Sequence, residues 1–198
     1  MKKIIATVLL LMSLSVPVNV FAESTYTVQP GDSIWRIAVK YEIGVTEIIE
    51  ANPQLDNPDL IYPNDKLTIP NIDAIKHTEH IVIQLTNQER AKNGLEPLRP
   101  DWQLSRVARY KSADMLEKNY FAHTSPTYGS PFDMMQDFGV TYRQGAENIA
   151  RGQQTPHEVV RAWMKSPGHR ANILGDYTHI GVGYVEDGKY WTQMFITR

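Results

Sequence analysis

The sequence predicts an α+β protein built from two unequal units in series. Three observations carry that reading. Residues 25–70 run strand, helix, helix, strand, with short turns between. Residues 81–138 place apolar side chains at helical spacing. Two runs rich in β-branched and aromatic residues, Ile180–Tyr184 and Tyr190–Ile196, then close on Asp187-Gly188 as a hairpin. A length of 198 residues suits one medium domain or two small ones.

The N-terminus speaks to compartment. Lys2 and Lys3 precede an apolar run from Ile4 to Leu14, and Val20-Phe21-Ala22 ends in small residues. This is the pattern of a secretory signal peptide, residues 1–22, cleaved after Ala22. The apolar core is short for a membrane span and Pro17 interrupts the stretch, so no span is expected in the mature chain. The chain has no cysteine, which excludes a disulfide scaffold, a thiol nucleophile and a Cys-ligated zinc site. Its net charge of −2 provides no basic field for nucleic acid.

The first unit opens with the alternating strand Thr25–Val28. Gln29-Pro30-Gly31-Asp32 reads as a turn, and Asp32 or Ser33 can cap the helix that follows. Trp35, Ile37, Ala38 and Tyr41 lie at helical spacing, and Gly44 is expected to close the helix. A second helix starts at Thr46 and ends at Asn52-Pro53. The loop Asn57–Asn64 leads to the strand Lys66–Pro70.

The run Tyr-Thr-Val-Gln-Pro-Gly-Asp-Ser-Ile-Trp-Arg-Ile-Ala, Asn52, and Ile-Tyr-Pro-Asn-Asp-Lys-Leu-Thr-Ile-Pro resembles a LysM domain over residues 25–70. The resemblance implies binding of N-acetylglucosamine glycans such as peptidoglycan. It also implies a groove between two lips. Gly31, Asp32, Ser33 and Ile34 form one; Asn57, Pro58, Asp59, Leu60, Ile61 and Tyr62 form the other. An acetamido group needs backbone partners and an apolar wall, which Gly31 and the Leu60–Tyr62 run can supply. Ile34 and Ile61 also serve as core in so short a unit. Asn64 stands where the family usually has Gly; Asn tolerates a positive φ, so the turn is expected to survive.

Residues 71–78 lack a sustained apolar pattern and read as a polar linker carrying His77, with His80 just beyond it. The second unit, 79–198, begins with a helix through Ile81, Val82, Leu85 and Ala91 that ends at Asn93-Gly94. Pro100 and Asp101 open the next, which stops near Asn119. Pro131–Phe138 forms a short helix. Glu158–Lys165 forms another, broken at Pro167-Gly168, so that His169 is expected in a turn.

The segments Tyr120–Pro126, Gly145–Ala150, Ser166–Leu174, Ile180–Tyr184 and Tyr190–Phe195 occur in an order that resembles the CAP superfamily, nearest its bacterial, YkwD-like branch. The resemblance implies an α-β-α sandwich with a cleft where two His and two acids converge. His123, His169 and Glu147 match three of these; Ser166 stands where the second acid is usual, and Glu158 is a weak substitute. Two neutral imidazoles, His123 and His169, can hold a divalent metal such as zinc, with Glu147 orienting one of them or acting as a base. The same trio can instead form a buried hydrogen-bonded network. Ser125 and Ser166 lack a nucleophile elbow.

Three functions follow. The first is a secreted, wall-associated binding protein tethered by its LysM unit. The second is a metal-assisted hydrolase of wall peptide or glycan. The third is a structural component of a spore envelope, because LysM-plus-CAP chains resemble proteins of Gram-positive spore formers. The want of a third clear metal ligand favours binding over catalysis.

Overall fold

The computed structural model describes residues 24–198, so the expected signal peptide, 1–22, lies outside the described residues. In the first unit, β1 (Ser24–Thr27) pairs antiparallel with β2 (Lys66–Ile69), Thr27 opposite Lys66. Helices α1 (Ile34–Tyr41) and α2 (Val45–Glu50) cover this two-stranded sheet. Val28, Ile34, Ile37, Ala38, Ile43, Ile48, Leu67 and Ile69 form one small buried cluster. Asn52 is buried and bridges it: Nδ2 donates to the Ile48 and Thr68 carbonyls, and Oδ1 accepts from the Thr68 amide, each at 2.7 Å. These bonds satisfy backbone groups that would otherwise be orphaned in a unit with little core.

Ser33 is the N-cap of α1, accepting from the Arg36 amide at 3.2 Å. Asp32 instead closes the turn, accepting from the Tyr26 hydroxyl at 2.7 Å and the Gln29 amide at 2.8 Å. Asn64 takes the left-handed conformation, φ 79°. Gly44 does not close α1. Glu42 does, at φ 52°, while Gly44, at φ −79°, is the N-cap of α2. Gly44 answers to space rather than to dihedral angle. A Cβ there would come within 2.4 Å of the Tyr110 hydroxyl and closer still to Glu47.

In the second unit a sheet ordered β3-β5-β6-β4 lies between two helical layers. Its strands are β3 (Arg99–Pro100), β4 (Gln144–Arg151), β5 (His179–Val185) and β6 (Tyr190–Thr197). β4 and β5 both run antiparallel to β6, and β3 runs parallel to β5. On one side α3 (Asp73–Lys92), α6 (Pro156–Lys165) and α7 (Pro167–Ile173) bury Val82, Val159, Val160, Trp163 and Ile173 against Ile180, Val182, Trp191 and Phe195. On the other, α4 (Trp102–Glu117) and α5 (Pro131–Asp137) bury Leu104, Val107, Ala108, Met134 and Met135 against Met194 and Ile196. The period of two along β6 thus serves both layers. Periodicity disclosed neither β3 nor β4: Pro100, expected to open a helix, lies in the two-residue β3 with Asp101 as the N-cap of α4, and Gln144–Arg151 is buried on both faces and shows no clean alternation.

The Ile-Gly-Val-Gly-Tyr run sets the height of α4. Cβ atoms built on Gly181 and Gly183 would lie 2.3 Å and 2.1 Å from the backbone carbons of Leu104 and Ala108. Helix and strand therefore meet backbone to backbone. Ser105 and Ser112 add hydrogen bonds across this contact, to the Val182 amide and the Gly183 carbonyl.

The expected linker is mostly helix. Residues 73–78 form the first turns of the 20-residue helix α3, because packing of its C-terminal part propagates back through a polar segment that has adequate helix formers. The two units also touch. Tyr110 donates to Glu47 at 2.6 Å, and Lys76 donates to the Tyr41 carbonyl at 2.7 Å. The Arg106 guanidinium lies 5.3 Å from the ring centres of both Trp35 and Phe138. His77 and His80 are exposed on α3, and His80 approaches the Gln84 amide at 3.0 Å.

Two outcomes are expected from this packing. Gly183→Ala should destabilise the chain by at least about 3 kcal/mol, since the overlap is with backbone that cannot rotate away; urea denaturation measures this. Thr78→Pro should cost about 3 kcal/mol through loss of a helix hydrogen bond and ring clash, whereas a flexible linker at that position would tolerate proline.

Candidate functional site

The site is assembled from a loop, a strand and a short helix. The loop after α4 carries His123. Asp114, one turn from the end of α4, holds it in place by accepting from the hydroxyls of Tyr120 (2.5 Å), Ser125 (2.6 Å) and Thr127 (2.6 Å). Lys111, one turn earlier and fully buried, donates to the His123 carbonyl at 2.8 Å and to Tyr120 Oη at 2.9 Å. Burial pushes the Asp114 carboxyl up, but the three hydroxyls and Lys111 outweigh it and leave it below its ordinary value. Burial lowers Lys111, against the pull of Glu147 and Asp114.

Glu147 projects from β4 on the α4 side of the sheet. Its Oε1 lies 2.7 Å from His123 Nδ1, and its Oε2 is buried without a hydrogen-bond partner. The carboxylate side chain is 1% exposed and the imidazole 54%, so the pair is a buried anion presenting a solvent-facing ring. The hydrogen bond from Glu147 raises the His123 pKa above its ordinary value, with burial opposing. It also selects the tautomer: Nδ1–H donates to the carboxylate and Nε2 faces outward.

His169 is not in a turn. It lies in the first turn of α7, which starts at Pro167; proline at the first helical position is favourable, so the expected break is a helix start. The Asn148 amide donates to the His169 carbonyl at 3.1 Å and to Gln193 Oε1 at 3.1 Å. Asn172 donates to the Glu147 carbonyl at 3.2 Å and to Asn148 Oδ1 at 2.8 Å. Gln193 continues to Thr86 at 2.8 Å. This chain of amides ties α7 to β4, and so His169 to Glu147. Burial lowers the His169 pKa, and the charge of His123 lowers it further.

Ser166 links α6 to α7. Its backbone amide bonds the Trp163 carbonyl and its carbonyl accepts from the Arg170 amide; it adds no carboxylate to the cleft. Glu158 does not replace the missing acid, because its carboxylate accepts from the Gln154 amide at the start of α6. Ser125 bonds Asp114 rather than a histidine. Lys111, Asp114, Tyr120 and Asn148 were not singled out from the sequence. The available signal was the pair Lys111 and Asp114, three apart on a helix otherwise lined with Ala108, Ser112 and Met115.

No group of three His, Cys, Asp or Glu side chains that could hold a metal ion occurs among the described residues. The donor chemistry accords with that: Glu147 Oε1 is engaged with His123 and Oε2 is buried, which leaves two imidazoles as the accessible ligands. What the arrangement does offer is a hydrogen-bonding pair. The hydrogen bond to Glu147 raises the His123 pKa and burial lowers that of His169, which biases the two rings toward opposite roles, donor and acceptor.

On the first unit, the residues of each expected lip differ in exposure. Leu60 and Tyr62 are 56% and 62% exposed, whereas Ile34 is buried with Ile61 packed against the same core cluster. The isoleucines therefore belong to the core, and the flanking side chains reach solvent.

Comparison with known proteins agrees with both halves. The LysM domain model matches residues 26–70, and the model of the cysteine-rich secretory protein family (CAP) matches residues 83–196. YkwD of Bacillus subtilis is 64% identical over 124 residues, covering 62% of this chain and 48% of its own. The chain thus spans about half the length of that relative. SpoIVD-associated factor A of Bacillus subtilis is 50% identical over 46 residues, 23% of this chain and 12% of its own. The crystal structure of an extracellular protein containing an SCP domain from Bacillus anthracis superposes with a TM-score of 0.61 at 33% identity, covering 69% of this chain and 47% of the other. With the CAP match spanning more than half of its length, the chain belongs to the cysteine-rich secretory protein (CAP) family and carries a LysM domain, a module that binds peptidoglycan-type glycan, ahead of it.

Proposed function

We propose that this chain is a secreted, cell-wall-associated binding protein. In this reading the LysM unit, 25–70, holds peptidoglycan through Gly31–Ile34 and Asn57–Tyr62. The CAP unit, 79–198, binds a ligand in the cleft of His123, Glu147 and His169. The observation that carries the cleft assignment is the buried Glu147 carboxylate holding a solvent-facing imidazole at 2.7 Å. A buried charge is costly unless it is paired, so such a dyad is retained where the ring has something to meet. Export rests on the N-terminal apolar segment. No described helix is long and apolar enough to cross a membrane.

Two observations favour neighbouring readings. The opposite shifts of His123 and His169 are the arrangement used in acid–base catalysis, which supports a hydrolase of wall peptide or glycan. The 46-residue likeness to SpoIVD-associated factor A supports a setting in the spore envelope.

The tether is tested by sedimentation with purified peptidoglycan: the mature chain should pellet, and a chain lacking residues 25–70 should stay in solution. Equal sedimentation of the two would reject it. The cleft is tested by titrating the imidazole resonances. His123 should titrate above about 6.5 and His169 below it, and Glu147→Gln should bring His123 down. Because the folded pKa of His123 is raised, the stability that its pairing contributes is complete below about pH 6.5 and is lost as pH rises through the folded value. The stability difference between the wild type and His123→Gln should therefore shrink with rising pH. Turnover of purified peptidoglycan that His123→Gln or His169→Ala abolishes would turn the assignment to the hydrolase.

A further inference from the structure

We propose that the glycan-binding surface extends beyond the LysM unit, over Trp35 and across onto Trp102 of the CAP unit, so that both units hold one extended N-acetylglucosamine-containing chain. This rests on the glycan reading of the LysM unit and assigns it a second half. Trp35 is the residue next to the Gly31–Ile34 lip and lies in the first turn of α1. It remains 45% exposed, although the helix pattern groups it with Ile37 and Ala38, which are buried. Its neighbour is the ring of Trp102, the first residue of α4, with centroids 6.5 Å apart and planes inclined by 43°. Two tilted indoles from different units thus lie side by side next to the lip.

The rings are held for the purpose. The Arg106 guanidinium lies 5.3 Å from the Trp35 ring and 5.3 Å from Phe138, and Arg106 is only 6% exposed. A desolvated cation over an aromatic face fixes that ring without covering its other side. Beside Trp102 the seam between the units opens into a cavity of ≈330 Å³ whose lining includes Glu42, Glu79, Asp101, Lys76, Arg109 and Ser105. Donors and acceptors of both signs are mixed there, with no dominant charge. That suits hydroxyl and acetamido groups better than an anion or an apolar ligand. Pyranose rings present C–H faces that pack on indole, and their rims carry the polar groups that such a cavity can meet.

Calorimetric titration of the full mature chain with N-acetylglucosamine trimer and hexamer tests this. A trimer fills the LysM lips, and a hexamer also reaches Trp102. The wild type should bind hexamer about tenfold more tightly than trimer, the increment expected for one aromatic stacking contact. Trp102→Ala should remove that gain and leave trimer affinity unchanged, and Trp102→Tyr should restore much of it. Tyr110→Phe, which loosens the contact with Glu47 but spares the indoles, should keep the gain. Retention of the hexamer advantage in Trp102→Ala overturns the proposal, as does an equal loss for both sugars or loss of the gain in Tyr110→Phe. Absence of binding to either sugar in the wild type overturns the LysM reading itself and this extension with it.

Discussion

The contact between α4 and β5 is the constraint on which the rest depends. Two glycines spaced two apart let a helix backbone settle directly on a strand backbone. Helix α4 then reaches in three directions. Inward it packs on β5 and β6; toward its C-terminal end Lys111 and Asp114 set the His123 loop; toward the first unit Trp102, Arg106 and Tyr110 meet Trp35 and Glu47. Any change in the height of α4 would shift the cleft and the seam together. The glycines are thus positional residues for side chains far from them in the sequence, Trp102 and the His123 loop among them.

The family name promises disulfides, and this chain has none. Its sandwich is held by apolar packing on both sheet faces and by polar side chains inside it. Thr86, Gln193, Asn148 and Asn172 form a continuous chain of hydrogen bonds through the interior. Each such bond adds little net stability, but leaving any partner unmade is costly. A network of this kind therefore penalises small displacements of α7 relative to β4. It fixes geometry where covalent links are absent, and the geometry it fixes is that of His169 against Glu147.

The cleft divides two like groups by environment. His123 stands at the surface with a carboxylate behind it, which favours its protonated form. His169 is drawn into the protein beside a potential cation, which disfavours its own. The same pair of side chains is thereby biased toward opposite roles. The departure at Ser166 sharpens this: a second carboxylate beside His169 would raise its pKa and erase the difference.

By itself the sequence determined the two units, the order of nearly all elements and the left-handed Asn64, and it offered Asp32 or Ser33 as the first helix cap, of which the fold uses Ser33. These are set by local preferences or by side chains recognisable in short motifs. Tertiary structure decided the remainder. Residues 73–78 are helical because α3 has a packed continuation, and Pro167 begins a helix because α6 and α7 meet there. β4 is a strand because β6 offers it an edge, though its own residues do not alternate. Lys111 and Asp114 act on a loop they precede by six to sixteen residues, through burial that no helix pattern reveals. The meeting of Trp35 with Trp102 depends on how two independently recognisable units lie against one another. Local periodicity carries no information about contacts between units, since those arise from surfaces that each unit leaves over after filling its own core.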